Sequence, residues 1–287
     1  MKLRSEIKHQ AKQIRYNARR VQTALRWGQA ELARMPVVIG NSMPKSGSHL
    51  IIQILEGLSQ IGPFVNPGFP PLNRDEENTI LQQSRILKKI SSLRSGDICY
   101  SYLPALPEYI SALTERHVAS CFVYRDPRDM IISHVFYATE MHQGHQMHEY
   151  YNRVLTTMEQ RINAAIDGVD QPGLKLTAIR QKYENYLGWM QQRNILCLRF
   201  EDLINERAST IRNLLNFLSK YGFNPADGID QAVTALSENI QPTKSGTFRK
   251  GQTGNWKEHF TAENIRNFKA KAGDVLIRLG YETTPDW

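Results

Sequence analysis

No apolar run in the 287-residue chain approaches the roughly 20 residues needed to cross a bilayer. The N-terminus is basic throughout and lacks an apolar core segment, so it does not read as a secretory signal. Cysteine is scarce, and Cys99, Cys121 and Cys197 stand far apart, each in an apolar, strand-like run. Neither a CxxC spacing nor a Cys/His cluster suggests a metal site, and the three read as buried, reduced thiols of a cytoplasmic protein. Internal repeats and low-complexity tracts are missing too. What remains is an ordinary ordered composition, 41% hydrophobic and 22% charged, in a length that suits one large α/β domain or two small ones.

The formal charge of +8 looks like a nucleic-acid signal until it is located. Nine of the 36 basic residues but only two of the 28 acids fall in residues 1–34, which leaves the body of the chain nearly neutral. No nucleic-acid partner is therefore expected. Residues 1–34 read as a basic amphipathic helix with Ile7, Ala11, Ile14, Ala18, Val21, Leu25 and Leu32 on one stripe, broken at Gly28. Three readings are open for that stripe: docking on the chain's own domain, pairing in a homo-oligomer, or contact with an anionic membrane surface.

Past Pro36 the pattern changes. Short runs rich in Val, Ile, Leu, Cys and aromatics at 37–40, 97–102, 118–124 and 194–200 predict buried strands. Helical stretches are predicted near 47–60, 76–93, 127–140, 174–192, 206–221 and 261–279, with loops at 61–75 and 240–256. Alternation of this kind predicts βαβ units, and so a single domain over 35–287 with a central parallel sheet flanked by helices.

Three motifs carry chemistry. Met43-Pro44-Lys45-Ser46-Gly47-Ser48-His49 joins the first strand to a helix. The unpaired N–H groups at such a helix start, together with the helix dipole, make an anion cradle. Lys45 adds a point charge, and Ser46 and Ser48 add donors. The loop is P-loop-like without being a Walker A sequence, because Pro44 stands where that motif needs glycine. In Tyr124-Arg125-Asp126-Pro127-Arg128-Asp129, a strand ends and a helix begins, with Asp126 as N-cap and Pro127 at the first helical position. Arg125 is thereby placed at the C-terminal edge of the sheet, where open α/β sheets bind ligands. Ser133 follows two turns on, and Tyr137, Glu140 and Met141 share its face at helical spacing. Finally, Arg249-Lys250-Gly251 sets two cations beside a glycine in a loop ending at Trp256, suited to wrapping a phosphate.

Together, in this order, the motifs resemble those of sulfotransferases of the cytosolic and bacterial type, which use 3′-phosphoadenosine 5′-phosphosulfate (PAPS) and release PAP. The resemblance runs from about residue 36 to the C-terminus. It implies that Lys45 contacts the bridging oxygen of the donor, and that Ser46, Gly47, Ser48 and His49 line the 5′-phosphate. It gives the 3′-phosphate to Arg125, Ser133, Arg249, Lys250 and Gly251, and puts Phe200 where the family commonly has Tyr beside the adenine. No metal is implied. The chain departs from the family at three places: Asn255 stands for Asp, Leu50 for a stacking Trp, and Tyr102 for the His that commonly serves as general base.

The base is therefore sought elsewhere, since a free phenol titrates near pH 10. Glu140, His142 and His145 are the candidates, with Tyr102 orienting a small-molecule acceptor alongside Tyr137, Glu140 and His142. The spacing of His142, His145 and His148 is not that of a zinc protease. Two rival functions stand beside sulfuryl transfer from PAPS to a hydroxyl or amine: a P-loop-type kinase, and a non-catalytic nucleotide-binding protein.

Overall fold

The computed structural model describes residues 2–241 and 252–287, with side chains from residue 9 onward. Its helices are α1 (Lys2–Trp27), α2 (Gln29–Arg34), α3 (Ser48–Ile61), α4 (Gln83–Ser91), α5 (Pro107–Leu113), α6 (Pro127–Phe136), α7 (Met158–Asp167), α8 (Ile179–Leu187), α9 (Phe200–Asn205), α10 (Arg207–Ser219), α11 (Ile229–Asn239), α12 (Trp256–His259) and α13 (Ala262–Arg278). Its strands are β1 (Val37–Ser42), β2 (Ile98–Ser101), β3 (Val118–Tyr124), β4 (Val169–Gln171), β5 (Leu174–Leu176) and β6 (Ile195–Arg199).

The chain folds into two compact units. One comprises residues 1–124 and 188–244, the other 125–187 and 245–287. The first holds an all-parallel sheet in the order β2-β1-β3-β6. Every residue of β1 and β3 is buried, as expected of parallel strands covered on both faces. Helix α3 packs on β1 and β2, α5 on β3, and α10 on β6, while α11 packs against α3 and α10. This is the predicted α/β architecture, with all four sheet strands where the apolar runs put them. In the second unit α7 packs against α6, α8 and α13. Among the described residues no helix is long and apolar enough to cross a membrane.

Helix boundaries depart from the sequence reading in three places. The stretch predicted as helix from residue 174 opens instead as β5, paired antiparallel with β4 across the Pro172-Gly173 turn, where Gly173 takes φ +75°. The helix expected over 127–140 ends at Phe136 and continues as a π-helical turn, Tyr137–Met141. Its wider winding breaks the regular α spacing on which the shared face of Ser133, Glu140 and Met141 was read. The helix expected at 76–93 starts only at Gln83, because Asp75 accepts the N–H groups of Glu77 and Thr79 in a tight turn.

The N-terminal helix breaks at Gly28, whose φ of +96° suits glycine, and it docks by an unexpected face. Tyr16 donates its hydroxyl to Asp97 Oδ2 at 2.7 Å, and Arg20 reaches Asp97 Oδ1 at 2.8 Å. Arg94 adds its backbone N–H to the same carboxylate and lays its guanidinium over the Tyr16 ring. Asp97 is 1% exposed, so burial raises its pKa and these bonds oppose the rise. From Ala11 to Leu25 the apolar stripe faces the opposite way and is exposed; of its described residues only Leu32, on α2, is buried.

Candidate active site

In the first unit the donor loop leaves the C-terminal end of β1. Ser46 N–H bonds to Met43 O, the chain then turns through left-handed conformations at Lys45 (φ +68°) and Gly47 (φ +86°), and α3 begins at Ser48. Gly47 is obligatory twice over, because a Cβ there would lie 2.3 Å from Cδ2 of Phe200 as well as in a strained backbone. Phe200, buried at the start of α9, thus forms the wall against which the loop is folded.

The result is a cradle for an anion. The N–H groups of Gly47, Ser48 and His49 donate to nothing among the described residues. Ser46 Oγ is fully buried with no partner there either. Burial pushes the Lys45 ammonium down to about 8. The exposed His49 is lowered by its own desolvation, then by the Lys45 charge. Unsatisfied donors and a cation paying for desolvation are what a phosphosulfate would relieve, so these residues fit the group.

Tyr102 follows β2, which lies parallel to β1, so it leaves the same sheet edge as the donor loop. Three residues absent from the sequence reading fix it there. Asn41, buried in β1, accepts from Ser101 Oγ and Leu103 N–H and donates to Leu103 O, while Trp189 Nε1 donates to Leu103 O as well. Asn73 Oδ1 accepts the Tyr102 N–H. The available signal was a lone Asn extending an apolar strand, a polar group that burial forces into hydrogen bonds. Nearby, burial pushes the thiols of Cys121 and Cys197 up to about 12 and about 11, which leaves them protonated and inert.

In the second unit Asp126 caps α6 as predicted, accepting Arg128 N–H at 2.8 Å, with Pro127 at the first helical position. Arg125 is held from both ends: Tyr183 donates its hydroxyl to Arg125 O, and the guanidinium donates to Gln252 O. Asp129 has a task beyond favouring the dipole. Its two oxygens accept the N–H groups of Gly254 and Trp256 at 2.7 and 2.9 Å, anchoring the segment that follows Gly251. Arg128, buried, pairs with Asp126 and Glu282 and lies between the Trp256 and Trp287 rings at 4.1 and 4.5 Å. Arg249, Lys250 and Gly251 themselves lie outside the described residues. Ser133 is half-buried on α6.

The histidine-rich segment is gathered around α6. The rings of His134 and His145 are 5.3 Å apart, Tyr137 packs on both His142 and His145, and among the described residues no three side chains are grouped to hold a metal ion. Met147 N–H donates to His145 Nδ1 at 3.1 Å, which puts the proton of the neutral ring on Nε2. Glu140 and His142 are exposed.

With this geometry in hand, similarity to known proteins is informative. Residues 36–279 match the sulfotransferase domain family. The chain belongs to that family and is a sulfotransferase. The 3-beta-hydroxysteroid sulfotransferase of Cavia porcellus is 23% identical, in an alignment covering 78% of each chain. Sulfotransferase 1 family member D1 of Rattus norvegicus is 22% identical, covering 86% of each. A solved mouse sulfotransferase complexed with PAP shares the fold, with a TM-score of 0.59 at 13% identity over 86% of this chain and 88% of that one.

Proposed function

We propose that the chain transfers a sulfuryl group from PAPS to the hydroxyl or amine of a small-molecule acceptor in the cytoplasm. The observation that carries this reading is the loop of residues 45–49: a half-buried lysine, with a buried hydroxyl and three N–H groups at the start of α3 that have no partner among the described residues. Bound there, PAPS supplies an activated sulfuryl group with a phosphate as its leaving group. Lys45 stabilises the charge that develops on the leaving oxygen, and Ser46, Gly47, Ser48 and His49 hold the 5′-phosphate. Arg125 and Ser133, with Arg249, Lys250 and Gly251, take the 3′-phosphate. Phe200 packs the loop and, in this reading, borders the adenine.

On the acceptor side, Tyr102 orients the nucleophile by hydrogen bonding, and Tyr137 contacts the acceptor. His145, whose Nδ1 is occupied by Met147 N–H, serves as an Nε2–H donor to the acceptor. Glu140 or His142 then takes the proton.

The test is selectivity for the 3′-phosphate. Calorimetry should show PAP binding far more tightly than AMP, and Arg125→Ala should remove about 1.5–3 kcal/mol of that difference. Equal affinity for PAP and AMP in the unaltered protein would overturn the assignment. A panel of hydroxyl and amine acceptors with labelled PAPS, read by mass spectrometry, then identifies the acceptor class.

A further inference from the structure

Helix α1 is held to its unit by a polar face and turns its apolar residues outward. Its inward cations are neutralised, Lys12 by Glu76 and Arg20 by Asp97. On the opposite face Ile14, Val21 and Leu25 are 71%, 60% and 82% exposed. At i, i+7 and i+11 they form one line about 16 Å long, with the exposed Ala11 and Ala18 between its turns.

The flank of this line is cationic. Arg15, Arg19 and Arg26 make no ion pair among the described residues: Arg19 reaches the backbone carbonyl of Asn66, and Arg26 that of Gln60 and the face of the Trp27 ring, so no acid neutralises them. No acidic residue occurs between His9 and Trp27.

We propose that this face of α1 docks the enzyme reversibly on an anionic lipid leaflet. A second copy of the chain would match the apolar line, but neither flank of its own stripe offers an acid to receive the arginines. A nucleic acid would match the charge and leave Ile14, Val21 and Leu25 in water. An anionic leaflet meets both demands, with headgroups for the arginines and acyl chains for the apolar line. Each arginine near such a surface contributes roughly fivefold in partition, so the three together give on the order of a hundredfold. Salt screens that part.

The full chain is floated with phosphatidylcholine vesicles, with or without about one third phosphatidylserine, at about 0.1 M salt. It should rise with the phosphatidylserine vesicles only and be released as salt is raised. Arg15→Gln with Arg26→Gln should weaken binding about 25-fold. Ile14→Ser with Leu25→Ser should weaken it about tenfold or more. Unchanged PAP affinity checks that both variants are folded. No flotation, equal flotation with phosphatidylcholine alone, or unaltered binding of either variant would overturn the proposal. So would sedimentation showing a dimer that Leu25→Asp dissociates, since a second copy would then cover the stripe.

Discussion

The Lys45 ammonium gives the site a measurable proton signature. Burial has brought its pKa from the usual 10.5 to about 8, so in the ligand-free protein about a tenth of it is deprotonated at pH 7, about half at pH 8 and about nine tenths at pH 9. A phosphate oxygen beside it favours the charged form and returns the pKa toward its usual value. Binding of PAP therefore takes up about half a proton at pH 8 and nearly a whole one at pH 9. Affinity follows, roughly level below pH 8 and falling toward tenfold per unit above it. The nucleotide's own phosphates, with a second pKa near 6, are already fully ionised in this window. The sign for stability is the reverse: the free protein carries a penalty for its buried charge below pH 8, and loses that penalty as pH rises from 8 toward 10.5. Calorimetry in two buffers of different ionisation enthalpy measures the uptake directly. Lys45→Arg, which keeps its charge throughout, and Lys45→Met, which has none, should both abolish it, and Lys45→Met should also lower turnover about 10²–10³-fold. An uptake at pH 9 that is absent in the unaltered protein, or that survives in Lys45→Met, would refute the reasoning.

Three further outcomes follow from named contacts. Gly47→Ala combines a left-handed backbone with a clash against Phe200 and should cost about 1–3 kcal/mol in urea unfolding, partly restored by Phe200→Leu; an unchanged midpoint would contradict this. Removing residues 1–34 strips Asp97 of Tyr16 and Arg20, which should cost about 3–5 kcal/mol, recovered in part by Asp97→Asn; a truncated chain melting at the full-length temperature would be the contrary result. Tyr102→Phe should keep much of the turnover, whereas Glu140→Gln or His142→Gln should cost about 10²–10⁴-fold, and the opposite pattern in steady-state rates would assign the base to Tyr102.

What the sequence made legible was whatever depends on short range or on total burial. The four sheet strands announced themselves because β1 and β3 are buried on both faces and cannot afford a polar side, and the Asp126–Pro127 start of α6 is written in two adjacent residues. Periodicity misled where tertiary contacts override it. The α1 stripe is a regular apolar pattern, yet the helix is held by hydrogen bonds to one buried carboxylate, Asp97, distant in sequence and unmarked by spacing. The π-helical turn at Tyr137–Met141 defeats an argument built on 3.6 residues per turn, and with it the placement of Glu140 over Ser133. Asn41, Asp129 and Trp189 escaped because their role is to hold backbone that the folded chain brings to them.

The sheet also sets the order in which the chain can fold. Its strands β2, β1 and β3 are complete by Tyr124, but β3 takes its second neighbour from β6, and residues 125–187 in between belong to the other compact unit. Until Ile195–Arg199 is available, β3 presents a largely apolar strand with an unpaired edge, the configuration most open to pairing with another chain. Phe200, which backs the donor loop, arrives in the same late segment. Refolding should therefore be slow, limited by a parallel pairing across a long interruption, and recovery of PAP binding should coincide with docking of β6 rather than with early helix formation.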